Sequence, residues 1–125
     1  MGKSLTRKIL ETHLVKGSME PGEEIFIKVD QTLTHDINAV MTYLAFEAIG
    51  LPRVRTECSV SYLDHNLLYV NNMTPDDHIY LQSVARKHGV YVSRPGNGIC
   101  HAVHVARFGI PGKISMGGDS HTPHG

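Results

Sequence analysis

Three polar runs in this 125-residue chain carry side chains able to do chemistry. Asp64-His65-Asn66 sets a carboxylate beside an imidazole. Such a pair holds one histidine tautomer and raises its basicity, which suits delivery of a proton to a leaving hydroxyl. In "PGNGICH", Gly96 and Gly98 would let the backbone approach a ligand, and His101 would sit near the positive end of a helix, where an anion is favoured. Asp119-Ser120-His121 follows the pair Gly117 and Gly118. Consecutive residues point in different directions, so this run suits a binding loop better than a hydrolase triad. Ser120 could donate its hydroxyl and His121 its ring proton to a carboxylate. Each run also has a plain reading. "DHN" is an ordinary strand-ending turn, and "PGNGICH" an ordinary turn before a helix that carries His101 on its surface.

The surrounding pattern says which elements must position these runs. Residues 4–16 read as a helix capped by Ser4 and stopped by Gly17. The alternation of Ile25, Ile27 and Val29 reads as a strand that ends at Asp30 and Gln31, which places Gln31 at a carboxyl tip. Ile37, Val40, Met41, Leu44, Ala45 and Ala48 recur at helical spacing, so residues 34–49 form a helix ended by Gly50 and Pro52. "RVRTECSVSYL" is a second strand leading to "DHN", followed by a helix capped by Thr74 and ending near Gly89. "VYVS" is a third strand, the stretch after "PGNG" a short helix, and "KISMGG" a fourth strand. Strands alternating with helices predict an α/β fold, a mostly parallel sheet flanked by helices in three layers. Ligands of such sheets gather beyond the carboxyl ends of the strands, where Gln31, Asp64, His65, His101, Asp119, Ser120 and His121 are then expected to converge. His13, His35, His78, His88 and His104 fall on helices or their edges and read as solvated or capping residues.

Composition restrains the partners. Twelve basic residues balance twelve acidic ones and aromatics are few, which argues against nucleic acid and against an anionic membrane. Cys58 and Cys100 are too few for a disulfide framework and read as free thiols of a reducing, cytoplasmic setting. The N-terminus lacks the apolar core of a signal peptide, and no run is long enough to span a membrane.

"VDQTLTHD", "SVSYLDHN", "SRPGNGICH" and "GGDSHTPHG", in this order and spacing, resemble the N-terminal part of the aconitase superfamily, with the aconitate hydratase branch the nearest match. The resemblance spans nearly the whole chain, and "DSHT" about fifty residues after "DHN" is its most specific pair. It implies a hydro-lyase that interconverts citrate and isocitrate through cis-aconitate. By the same resemblance, Gln31, Asp119, Ser120 and His121 bind substrate, Asp64 and His65 help the hydroxyl leave, and His101 is an active-site histidine. Asp119 and His121 count among the catalytic positions as well. A [4Fe–4S] cluster is implied for the full-length protein, on three cysteines expected beyond Gly125, with no metal ligand in the chain itself. The resemblance thus makes residues 1–125 part of a first domain, inactive and marginally stable without the rest of the polypeptide. Two departures are "THDINAV", where relatives more often carry a QDAT-like string, and Leu67, where Thr is common. Homoaconitase or another hydro-lyase of the superfamily, and a cluster-free RNA-binding module, are the alternatives.

Overall fold

A computed structural model of the protein describes residues 2–124, so Gly125 at the end of the closing motif lies outside the described residues. Helix α1 (Leu5–His13) opens on Ser4, whose Oγ accepts the Arg7 N–H at 3.2 Å. It ends three residues before the expected boundary. Leu14 turns extended, and Leu14–Lys16 form β1, antiparallel to β2 (Phe26–Ile27). Gly17 makes the intervening turn at φ +99°, where a Cβ would lie 2.6 Å from the Glu24 carbonyl oxygen.

The strand expected to end at Asp30 is therefore only this short hairpin arm. The sheet strand is β3 (Gln31–His35), in which β-branched Thr32 and Thr34 flank Leu33. Gln31 opens that strand, and His35 closes it. The chain continues as α2 (Asp36–Ile49), β4 (Cys58–Tyr62), α3 (Met73–His88), β5 (Tyr91–Ser93), α4 (Cys100–Phe108), β6 (Ser115–Gly117) and a final turn of 3-10 helix at Thr122–His124. Thr74 lies inside α3, whose first N–H groups at Met73 and Thr74 are taken by Asn71 Oδ1.

The fold is α/β. Four parallel strands lie in the order β5-β4-β3-β6, with Thr32 opposite both Ser59 and Met116. On one side of the sheet Ala39 and Tyr43 of α2 pack with Leu81, Val84 and Ala85 of α3. On the other, Leu33, Val60 and Tyr62 pack against Cys100, Val103 and Phe108 of the α4 layer. Helices must change sides because the crossovers run first toward β5 and then back past β3 to β6, and parallel crossovers keep one hand. Strand order reverses beside β3, the place where open sheets form a crevice. The half-buried Thr32 and the buried Ser59 bond to each other at 2.5 Å, and Thr56 to Ser59 at 2.6 Å, so this part of the sheet is lined by hydroxyls instead of the usual aliphatic run. No helix among the described residues is long and apolar enough to cross a membrane.

Asp30 clamps the amino end of β3. It is 1% exposed, and its carboxylate accepts the Ile114 N–H at 3.0 Å, faces His13 Nε2 at 2.6 Å and lies 3.2 Å from Lys28 Nζ. The Ile114 N–H, followed by His13 and Lys28, holds this carboxyl well below the usual carboxylate range despite burial. A bond to the Ile9 carbonyl, together with Asp30, raises His13. The carboxylate stabilises the fold above its unfolded pKa of about 3.9, and that contribution is lost as acid drives pH down toward the folded value. The imidazolium contributes fully below about pH 6.5 and is lost as pH rises through its raised value. Asp30→Asn is therefore expected to lower the unfolding temperature by about 4 °C or more. Circular dichroism melts should show the largest difference between about pH 4 and 6.5 and a shrinking one in stronger acid.

Candidate functional site

Because all four strands are parallel, their carboxyl ends share one edge, and the polar runs that follow them meet there. His35 ends β3, Asp64 and His65 follow β4, Cys100 and His101 begin the helix after β5, and Asp119, Ser120 and His121 follow β6. Asp119 is the hub. Its Oδ2 accepts the His121 N–H at 2.7 Å and faces His101 Nδ1 at 3.1 Å, while Oδ1 lies 3.7 Å from His65 Nε2. Burial alone would raise this carboxyl, but the His121 N–H and the His101 and Cys100 side chains outweigh it and keep it below the usual range. Asp64 is shared differently. Oδ1 meets His65 Nδ1 at 3.0 Å, and Oδ2 accepts the Cys100 N–H at the start of α4.

Three imidazoles are thus held by the same nitrogen. Nδ1 of His65 faces Asp64, Nδ1 of His101 faces Asp119, and Nδ1 of His121 faces Ser120 Oγ at 3.1 Å. A fixed Nδ1 sets ring orientation and leaves Nε2 to exchange a proton with a ligand. Among the described residues, no hydrogen bond is made by Nε2 of His101 or His121, and the 3.7 Å from His65 Nε2 to Asp119 is too long for one. His101 and His121 also face each other, with ring centroids 4.9 Å apart.

His35 completes the edge, and sequence reasoning passed it over. It is 8% exposed, stacked on His65 with centroids 4.1 Å apart. Asn38 Oδ1 accepts the His35 N–H at 3.2 Å, so the Asn38 amide nitrogen must face His35 Nε2, at 3.1 Å. Burial, then the neighbouring His65, lowers its pKa, so the ring is neutral and carries its proton on Nδ1. That N–H is buried and has no partner among the described residues. The signal that would have found it was the alternation Thr32-Leu33-Thr34, which extends the strand to the residue just before the helix.

The placements correct several expectations. Gln31 does not reach this edge. It sits buried at the opposite end of β3, where Nε2 donates to the Phe108 carbonyl at 2.8 Å and Oε1 meets His104 Nε2 at 3.0 Å. His104 in turn bonds Tyr62 OH at 2.9 Å. His78, His88 and His104, expected to be solvated or capping, are buried, whereas His35 does cap α2 and is buried as well. Gly117 and Gly118 permit close packing: a Cβ on Gly118 would strike the Asn38 amide, and one on Gly117 would lie 2.7 Å from Leu33 Cγ.

Several trios here, such as His35, His65 and Asp119, bring ligand-type atoms within 4.8 Å of one another. The stacked rings of His35 and His65 direct their nitrogens along nearly parallel planes, and His35 presents a proton instead of a lone pair, so hydrogen bonding fits this trio better than a shared ion. An iron–sulfur cluster does not fit the residues present. Cys58 and Cys100 are two thiols where at least three thiolates are required, and burial, reinforced by Asp64 and Asp119, pushes Cys100 up to about 12.

Comparison with known proteins agrees with this geometry. The model of the Aconitase family (aconitate hydratase) matches residues 7–125. An aconitase-ribosomal protein bL21m fusion protein of Schizosaccharomyces pombe is 29% identical over 97% of this chain and 15% of its own length. A 3-isopropylmalate dehydratase large subunit of a Sulfurihydrogenibium species is 29% identical over 98% of this chain and 29% of its own. A mitochondrial aconitate hydratase of Arthroderma benhamiae is 28% identical over 98% of this chain and 17% of its own. The chain thus spans less than a third of the length of these relatives. With a family match across nearly all of its residues, the chain belongs to the aconitase family.

Proposed function

We propose that residues 1–125 form the N-terminal part of the first domain of an aconitate hydratase, a hydro-lyase acting on citrate, isocitrate and cis-aconitate, and that they supply its substrate-carboxylate and proton-transfer groups. The unpartnered Nδ1–H of His35 carries this reading. A buried donor without a partner is costly, and a carboxylate or hydroxyl oxygen of a small acid would satisfy it. Ser120 and His121 add donors on the adjacent loop. Asp64 orients His65, whose Nε2 can pass a proton to the departing hydroxyl so that it leaves as water, while Asp119 holds His101. Gln31 has both amide groups engaged elsewhere and is left out of this role. The base that takes the carbon-bound proton, and the thiolates of the [4Fe–4S] cluster used by the family, would come from other parts of a longer polypeptide. The free thiols suit a reducing compartment such as the cytoplasm.

A second substrate reading has support of its own, since relatives named 3-isopropylmalate dehydratase match as closely as those named aconitate hydratase. Turnover of isocitrate to cis-aconitate by the whole polypeptide, read by ultraviolet absorbance, tests the first reading; turnover of 3-isopropylmalate alone would replace it with the second. In the active enzyme, His65→Gln is expected to lower kcat by about 100-fold or more. His35→Phe keeps the stacked ring but loses the donor, and is expected to raise KM roughly tenfold. The chain of residues 1–125 by itself is expected to show no turnover. Anaerobic reconstitution of that same chain should leave iron and sulfide well below one cluster per molecule.

A further inference from the structure

The proposed function uses Asp64 and His65 but leaves unexplained a second buried carboxylate that lies beneath them. Asp36 is the first residue of α2 and is 3% exposed. Its Oδ1 accepts the backbone N–H of His65 at 3.1 Å, and Oδ2 accepts that of Asn66 at 2.8 Å. Oδ2 also faces Nε2 of His78, on α3, at 3.0 Å. Nδ1 of His78 faces Tyr69 OH at 3.1 Å, so the tyrosine donates to Nδ1 while Nε2–H donates to Asp36. The Asp36–His78 pair therefore grips the loop after β4 at two points, its beginning at residues 65 and 66 and its middle at Tyr69. Between these lie Leu67 and Leu68, at the surface.

Three donors converge on one carboxylate. The Asn66 N–H, His78 and the His65 N–H together keep Asp36 ionised in spite of its burial, and the start of α2 adds favourable dipoles. Nothing about this arrangement is needed to close the core, which is formed by apolar side chains deeper between α2 and α3. Two of its bonds go to the main chain at His65, a member of the reacting pair, and at the next residue, Asn66.

We propose that Asp36, oriented by His78, is the positioning residue of the Asp64–His65 pair, so that the placement of the proton donor is set by how α2 packs on α3. The proposal rests on the reading of Asp64 and His65 as the proton-transfer pair. It extends that reading to two residues that touch neither substrate nor reacting atoms.

The experiment uses the whole polypeptide that carries this chain, with Asp36→Asn, His78→Gln and His78→Phe variants. Asparagine keeps one acceptor and loses the charge. Glutamine at 78 can still donate to Asp36, and phenylalanine cannot. Hydrogen exchange of the peptide covering residues 64–70 should accelerate roughly tenfold or more in Asp36→Asn, while peptides covering β3 and β4 exchange as before. In the same variant kcat should fall by about 100-fold, as expected for a displaced reacting group, with KM little changed. His78→Gln should retain most of the protection and turnover that His78→Phe loses. Unchanged exchange at residues 64–70, an equal acceleration across the whole chain, or identical behaviour of the two His78 variants would each overturn the proposal. If Asp36→Asn does not fold, the His78 pair decides. If the unmodified enzyme shows no hydro-lyase turnover, the functional reading fails, and the exchange measurements still decide whether Asp36 holds the loop.

Discussion

A carboxylate removed from water must find donors, and in this chain that requirement organises both ends of the central strand. Asp30 lies just before β3 and Asp36 just after it, and both are buried. Asp30 is satisfied by one backbone N–H from a distant segment and Asp36 by two, and each also by a histidine from a neighbouring helix. Asp30 thereby ties α1 and the lead into β6 to the start of the strand. Asp36 ties the β4 loop and α3 to its end. Asp119 repeats the device at the end of β6, with His101 of α4 and its own loop as donors. Buried ion pairs of this kind contribute little net stability against an apolar core, but the loss of either partner strands a charge, so they enforce which segments meet.

The same requirement explains why the site is polar without being loose. At the edge Asp64 holds Nδ1 of His65, Asp119 holds Nδ1 of His101 and Ser120 holds Nδ1 of His121, while the Nε2 atoms of His101 and His121 make no hydrogen bond among the described residues. His35 sits among them as a donor without a partner among the described residues. The hydro-lyase role proposed above would use such an arrangement, because moving a hydroxyl demands both carboxylate recognition and a proton delivered at one atom.

Much of this was legible in the sequence where one physical cue dominated. The helical spacing from Ile37 to Ala48 with Gly50 behind it produced α2, and Gly89 closed α3 in the left-handed conformation as expected. The parallel alternation of strands and helices brought Asp64, His65, His101, Asp119, Ser120 and His121 to one edge. The errors cluster where two patterns overlap. Ile25, Ile27 and Val29 alternate as a strand should, but Asp30 interrupts the pairing, and the strand of the sheet lies five residues on, in a run of threonines that carries less apolar signal. That shift moved Gln31 from the presumed tip to the opposite end and hid His35. Leu14 looked helical by spacing, although β-branched Val15 and the turn at Gly17 favour the hairpin. The buried histidines were misjudged for a different reason: their partners, Glu47, Asp36 and Gln31, are remote in sequence and become neighbours only once the helices pack.

The contact between Gly118 and Asn38 reaches further than the loop it shapes. Asn38 assigns the proton of His35 by offering its oxygen to the main chain and its nitrogen to the ring, and it can lie as it does only because residue 118 has no side chain. Residues 35, 38 and 118 are therefore physically coupled. A lineage that exchanged the imidazole for another donor would be free to change the asparagine and then to fill the glycine. One that kept the imidazole would find the other two positions closed to variation, although neither bears a group with a part in the proposed reaction.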